Sequence, residues 1–356
     1  MKRRMAVAAA ALAAGIGMTV AAGVAAPVTA MASTPAVWNR IFQSRESGTF
    51  TNVAAVSKSD VWASGFHLNA SGQLTDQPYI LRFNGTTWKS VTIPGARMTR
   101  STVQATSASD VWVFGLIPNP MDVAESTAYR WDGARWHKIP VPAQTHLQGT
   151  VVLGPSNVWA FGDSGTILGD VFHWNGSKWT AYNLNFIPQS ISASSATNVW
   201  VAGLAWSGKK EEKATAYRWN GSHLLAVTSP HPVVADGPGV VALSPSDVWL
   251  SWDTETNAVA EHWNGRQWQL FTPPANVSVS TSEIVPDGRG GDWFGPYADW
   301  TGHTWVNASD FSSAFYGGGF QDFARIPGTT SLVGAGGFDH SGSTTQYPQI
   351  YRLDLG

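Results

Sequence analysis

Residues 57–65 read SKSDVWASG, and nearly the same nine letters return at 107–115 (SASDVWVFG), 154–162 (GPSNVWAFG), 195–203 (SATNVWVAG) and 244–252 (SPSDVWLSW). GGDWFG around Trp293 is a degraded copy, and SLVGAG, with Val333 in the Trp position, is a weaker one. The recurring positions 62, 112, 159, 200, 249, 293 and 333 lie about 40–50 residues apart. A fixed period of that length marks a repeat architecture.

A second phrase follows the first five copies: LRFNGTTW (81–88), YRWDGARW (129–136), FHWNGSKW (172–179), YRWNGSHL (217–224) and EHWNGRQW (261–268). Asn-Gly or Asp-Gly between alternating apolar runs signals a hairpin. Each unit therefore reads as four short strands, a to d. In the first they are FTNVAAV, VWASGF, YILRF and WKSVTI. Ser-x-x-Asp turns a into b, the Asp capping that turn through its own backbone. Asn-Gly turns c into d. Four-stranded units repeated radially make a β-propeller. The last unit stops at PQIYRLDLG, which matches strand c, while AVWNRIFQS at the other end matches strand d. Joining them closes a ring of seven blades with no free edge. The blades start near 50, 101, 149, 190, 239, 280 and 322, and residues 36–45 complete the last.

On these motifs the chain resembles seven-bladed propellers with Asp/Asn-Val-Trp-x-x-Gly repeats found in secreted and assembly-factor proteins of bacteria. It is distantly similar to kelch and photosystem-assembly-factor propellers. The resemblance covers essentially all of residues 33–356. It implies the all-β fold and leaves function to the site, because propellers host enzymes, lectins and scaffolds alike.

Composition narrows the classes. Met1-Lys-Arg-Arg, an uncharged run from Ala6 to Ala26 and Ala30-Met31-Ala32 read as a secretory signal over 1–32. The alternative is an uncleaved anchor. Cleavage leaves a single domain, 33–356, in an extracellular setting. The formal charge is −2 and no Lys/Arg cluster appears, so a phosphate-neutralising nucleic-acid binder is not expected. There is no Cys. That removes disulfides, thiolate metal sites, a Cys nucleophile and the cysteine-crosslinked tyrosine of galactose-oxidase-type propellers.

Gly162-Asp163-Ser164-Gly165 looks like a serine-protease nucleophile turn. It falls where every other blade has a b–c connection, and no His base or Asp orienter is placed by it, so it reads as a loop. No complete sialidase box, His-Glu-x-x-His or EF-hand loop is present. DGRGGD (287–292) reads as a hairpin rather than a calcium turn.

Residues repeated in every blade are most simply structural. The variable b–c loops, HLNASGQLTDQP, LIPNPMDVAES, LAWSGKKEEKA and DTETNA, are where a rigid scaffold carries binding. The 19 Trp sort into strand b (62, 112, 159, 200, 249, 293), strand c (131, 174, 219, 263 and Trp305) and strand d (38, 88, 136, 179, 268). Trp206, Trp252 and Trp300 are left over. Counted from their own blades, all three fall at the end of strand b or in the b–c loop of blades four to six. Clustered exposed indoles mark interaction surfaces, and with Tyr297, Asp299, His303 and Asp253 beside them they suit a sugar ring. The bland alternative is that Trp252 fills a Gly position and the others plug loops.

The reading is a secreted, monomeric, non-catalytic recognition module for an extracellular glycan through its b–c loop face, with no metal or cofactor. A protein-binding subunit of an extracellular assembly is one alternative. A glycoside hydrolase or lyase using Asp236, Asp253, Glu255 and Asp299 is the other. Export predicts that the secreted protein begins at Ser33. N-terminal sequencing of the culture supernatant checks this; a product that still starts at Met1 and stays with the membrane refutes it.

Overall fold

A computed structural model describes the chain from residue 37 to 354, except 118–124, 143–144, 164–168, 185, 206–212, 228–235, 254–257, 272–283, 296–297, 303, 308–317 and 340–344. The described residues lie in one unit, Pro35–Gly356, and form seven four-stranded antiparallel sheets. In blade one the strands are Gly48–Ser57, Asp60–His67, Tyr79–Phe83 and Trp88–Ser90. Blade two runs Ser101–Ser107, Asp110–Ile117, Glu125–Trp131 and Trp136–Ile139; blade three runs His146–Gly154, Asn157–Asp163, Asp170–Trp174 and Trp179–Asn183. The last blade pairs Gln346–Asp354 with Trp38–Gln43, Trp38 lying opposite Leu353. The seven-bladed propeller and its closure by the N-terminal strand d are therefore as the repeats imply.

The repeated letters have specific tasks. Trp62, Trp112, Trp159, Trp200, Trp249 and Trp293 are almost wholly buried, and each packs on the next blade. Trp62, for example, meets Val103, Val111 and Val113 of blade two. The Asp or Asn that opens strand b does not cap the a–b turn through its own backbone. The Ser at the start of the motif does so instead, its Oγ accepting the N–H of Ser59, Ser109 or Ser246 at 3.2–3.3 Å. The Asp/Asn side chain turns inward. Asp110 Oδ1 accepts the indole N–H of Trp112 at 3.1 Å, and Asn157 and Asn198 serve Trp159 and Trp200 in the same way.

Strand c completes this arrangement with a residue laid over the indole. Arg82 sits 4.8 Å above Trp62 and grips Asp60 with two bonds. His173 stacks on Trp159 at 4.3 Å and bonds Asn157; His262 stacks on Trp249 at 4.2 Å and bonds Asp247. A buried indole N–H left unpaired costs about 1–3 kcal/mol; the Asp/Asn is the acceptor that removes this cost in blades two to four, whereas the Trp62 and Trp293 N–H groups are buried without a hydrogen bond.

The Asn-Gly hairpins are four-residue loops rather than two-residue turns. Phe83 pairs with Trp88, and Asn84 Oδ1 accepts the N–H groups of Thr86 and Thr87. Only the Gly takes positive φ, +98° at Gly133 for instance, and a Cβ there would lie 2.9 Å from Ser109 Cβ. The c–d loops thus rest on the a–b turns, and both form the lower rim. The b–c connections form the upper one.

Between innermost strands, side chains act as extra backbone. Gln104 of blade two donates to Thr150 O at 2.6 Å and accepts Val152 N–H at 2.8 Å in blade three. Ser190 and Ser192 of blade four accept the N–H groups of Val240 and Ala242. Asp322 of blade seven accepts Val53 N–H at 2.8 Å and Asn52 Nδ2 at 2.5 Å, tying the last inner strand to the first.

Truncating one slot indole empties such a gap. Trp112→Ala is expected to cost ~3–5 kcal/mol, the range for large aromatics in a core. Urea unfolding with unchanged m value checks it, and a loss below 1 kcal/mol contradicts the packing assigned to that indole.

Candidate functional site

Blade six decides the fate of the three off-pattern indoles. Its strands are Ile284–Pro286, Asp292–Phe294, Ala298–Trp300 and Trp305–Asn307, each of three residues. Trp300 pairs with Trp305 as Trp131 pairs with Trp136 in blade two. Trp300 is therefore the strand-c tryptophan of its blade, not a b–c loop residue, and Trp305 opens strand d rather than sitting in strand c. Counting from the slot Trp failed because only residues 295–297 join strands b and c here. Trp300 packs against Phe271 and Trp305 at 5.4 Å each.

Trp206, Tyr297 and His303 lie outside the described residues. Trp252 and Asp253 end strand b of blade five, with Trp252 opposite Val259 and Asp253 opposite both Ala258 and Asp236. Ser164 and Gly165 also lie outside, between a strand b that ends at Asp163 and a strand c that opens at Asp170.

Asp299 occupies the strand-c position that Arg or His holds in blades one to five. It pairs with Trp293 as Arg82 pairs with Trp62. A carboxylate gains nothing on an indole face, so Asp299 binds Arg289 of the a–b turn instead, at 2.9 Å. Asp287 shapes that turn by accepting the N–H groups of Arg289 and Gly291, so DGRGGD is the hairpin it reads as. Asp292 stands where other blades have Val, facing blade five. Burial, then the charge of Asp247, pushes its carboxyl up to about 7 against the pull of His262. Burial and the charge of Asp287 raise Asp299 to about 6, partly offset by Arg289. Burial likewise raises Asp322 to about 7.

An open concavity lies elsewhere. A groove of about 770 Å³ lies between blades one and two near the lower rim. Its walls are the indoles of Trp131 and Trp136, both half-buried, tilted 51° with centroids 5.6 Å apart. Trp62 forms the floor, edge-on to Trp136 at 6.3 Å. Arg82, Arg135 and Lys138 edge it, and Ser90 and Thr92 line the side made by blade one. It exists because strand d of blade one stops at Ser90, three residues short of the WKSVTI reading. The chain then turns through Pro94 and Gly95 and buries Ile93, Ala96 and Met98 between the blades. Sequence reasoning passed over this groove because its indoles belong to the repeat. The signal that was available is Lys138, whose counterparts are Ser90, Ala181, Ala226, Leu270, Asn307 and, as the one other cation, Arg40.

No protein-family model matches the sequence. No curated protein matches it either. Among solved structures, YCF48 bound to D1 peptide is 14% identical over 91% of this chain and 100% of that one, with a TM-score of 0.58. YCF48 from Cyanidioschyzon merolae is 12% identical over 89% and 98%, with a TM-score of 0.54. SapL1 lectin in complex with alpha methyl fucoside is 14% identical over 73% and 95%, with a TM-score of 0.47. At these identities the likeness to YCF48 is one of fold.

The three raised carboxyls predict a pH dependence. Each binds its proton more tightly folded than unfolded, so its contribution to stability is complete below about pH 4 and lost as pH rises through 6–7. Asp132, held low by its bond to His137, works in the opposite sense only at more acid pH. The melting temperature should fall from pH 5 to pH 8, and the Asp292→Asn, Asp299→Asn, Asp322→Asn triple variant should flatten that fall. Equal slopes in a calorimetric scan refute the assignment.

Proposed function

We propose that the chain is an exported, non-catalytic recognition module whose ligand is a glycan. The observation that supports this best is the blade-one/blade-two groove. It is open, it falls within the size range of small-ligand clefts, and its two tilted indoles offer faces on which a pyranose ring can stack while Ser90, Thr92 and the flanking cations offer hydrogen bonds. Trp252, which ends strand b of blade five, remains part of this reading as a second contact point with Asp253 beside it, and Trp206, outside the described residues, stays with it on sequence grounds alone. Trp300 and Asp299 leave it, because strand c carries them to the lower half of blade six.

Two other readings each rest on one observation. Val37, Ile41, Leu225, Leu270 and Val306, on or beside the outermost strands of blades four to seven, are 38–55% exposed. That apolar belt suits a protein partner, and YCF48, a propeller of this general form, carries the name of a bound D1 peptide. Asp236 and Asp253 are register partners on strands a and b of blade five. Like charges placed opposite are unfavourable, and a hydrolase would use such a pair.

A panel of immobilised bacterial, fungal and plant glycans tests the main reading. The folded protein should be retained by a subset of them. The Trp136→Ala variant, with its fold checked by circular dichroism, should lose about tenfold in affinity, equivalent to ~1.4 kcal/mol for one stacked ring. A loss in the Trp206→Ala, Trp252→Ala variant instead would move the site to the second contact point. A blank panel for a folded protein sinks the glycan reading and moves weight to the outer belt. Turnover of any retained glycan that stops in Asp253→Asn moves it to the hydrolase.

A further inference from the structure

We propose that the groove between blades one and two is selective for anionic saccharides, chains whose sugar rings carry carboxylate or sulfate. This deepens, and rests on, the recognition reading above.

The argument starts from what breaks the repeat. The indoles of the groove recur around the ring, and single cations recur with them: Arg130 and Arg218 at the place of Arg82, Lys178 at that of Arg135 and Arg40 at that of Lys138. Only blades one and two together put a cation at all three places. Lys138 is exposed on strand d of blade two, where five other outer strands place Ser, Ala, Leu or Asn and only that of blade seven places a cation, Arg40. Arg135 stands in the c–d loop with its side chain 78% exposed, and its ion-pair partner, Asp132, is a distant 3.9 Å away. Asp132 is engaged elsewhere. It bonds His137 at 2.6 Å and accepts the N–H groups of Ala134 and Arg135, bonds that hold its carboxyl well below the usual range. Arg135 therefore presents a guanidinium whose counter-charge is already committed.

Arg82 adds a fixed donor. Two of its N–H groups are taken by Asp60 and its plane lies over Trp62, so it is immobilised at the groove edge with donors to spare. Lys89 is its cross-strand partner. The local balance is positive in a chain whose formal charge is −2. A guanidinium and an ammonium beside two stacking faces match a sugar ring that bears an anion. A neutral ring would use the indoles and leave the cations in water. A flexible acidic peptide would use the cations and leave the indoles bare.

Calorimetric titration of the exported protein separates these cases. The probes are oligogalacturonate, a sulfated dextran oligomer, the unsulfated dextran oligomer and poly-glutamate of matched charge. At least one anionic sugar is expected to bind ten times more tightly than both the neutral dextran and poly-glutamate, and to weaken as NaCl rises. Oligogalacturonate and sulfated dextran together tell carboxylate from sulfate. Arg135→Glu with Lys138→Glu should lose that binding at least tenfold, with a melting temperature unchanged within about 2 °C, since both side chains are solvated. Lys138→Gln, a milder change, should fall between the two proteins.

Binding of an anionic sugar that survives both variants overturns the proposal. So does equal binding of neutral dextran, and so does equal binding of poly-glutamate; in the first two cases glycan recognition stands and only its site or class moves. Failure to bind any saccharide removes both this inference and the glycan reading.

Discussion

Six of the seven slots between neighbouring blades hold a buried indole, and each brings one N–H into a place without water, where an unmade hydrogen bond is costly. The solution in blades two to four is a three-part unit within one sheet. An Asp or Asn at the start of strand b accepts the indole N–H, and an Arg or His from strand c covers the ring. Buried carboxylates and amides are tolerated there because each is fully paired. The short b and c strands, the lower-rim turns and the close approach of Gly133 to Ser109 all follow from keeping these three side chains in register.

Blade six shows what happens when the unit is lost. Gly291 takes the place of the acceptor, Asp292 the place of the Val, and Asp299 the place of the cation. Each strand shrinks to three residues. The charges then reorganise around Arg289, and two carboxyls are left with elevated proton affinity. A sheet that has exchanged its internal clamp for titratable groups is held more by its neighbours than by itself.

Much of this was readable in the letters. Periodic Val-Trp pairs fix the blade count because the spacing between slots is set by four strands and three turns, and the unmatched ends at 38–43 and 346–354 predict closure. The role of the Asp was legible only in part: its position beside a turn suggested a cap, but hydrogen bonding to an indole two residues away depends on the strand's pleat. The Arg/His before each strand-c aromatic was visible in five copies and went unused, although it is the key to seeing that Asp299 is a substitution within the pattern. Trp300 was misplaced because the counting assumed a b–c connection longer than the three residues blade six has. The groove was hidden for a different reason. It is made of ordinary repeat residues, and becomes a cleft only because strand d of blade one ends early.

The pairing of Trp38–Gln43 with Gln346–Asp354 joins residues about three hundred positions apart. Contacts of that sequence separation form late, since the loop-closure cost precedes any return. Blades one to six can assemble as the chain emerges, but the seventh sheet cannot exist until Gln346–Asp354 has been made. The molecule therefore carries a timer set by the distance between these two strands. Until it runs out the folded part is an open arc with two unsatisfied edges, and their pairing turns it into a ring.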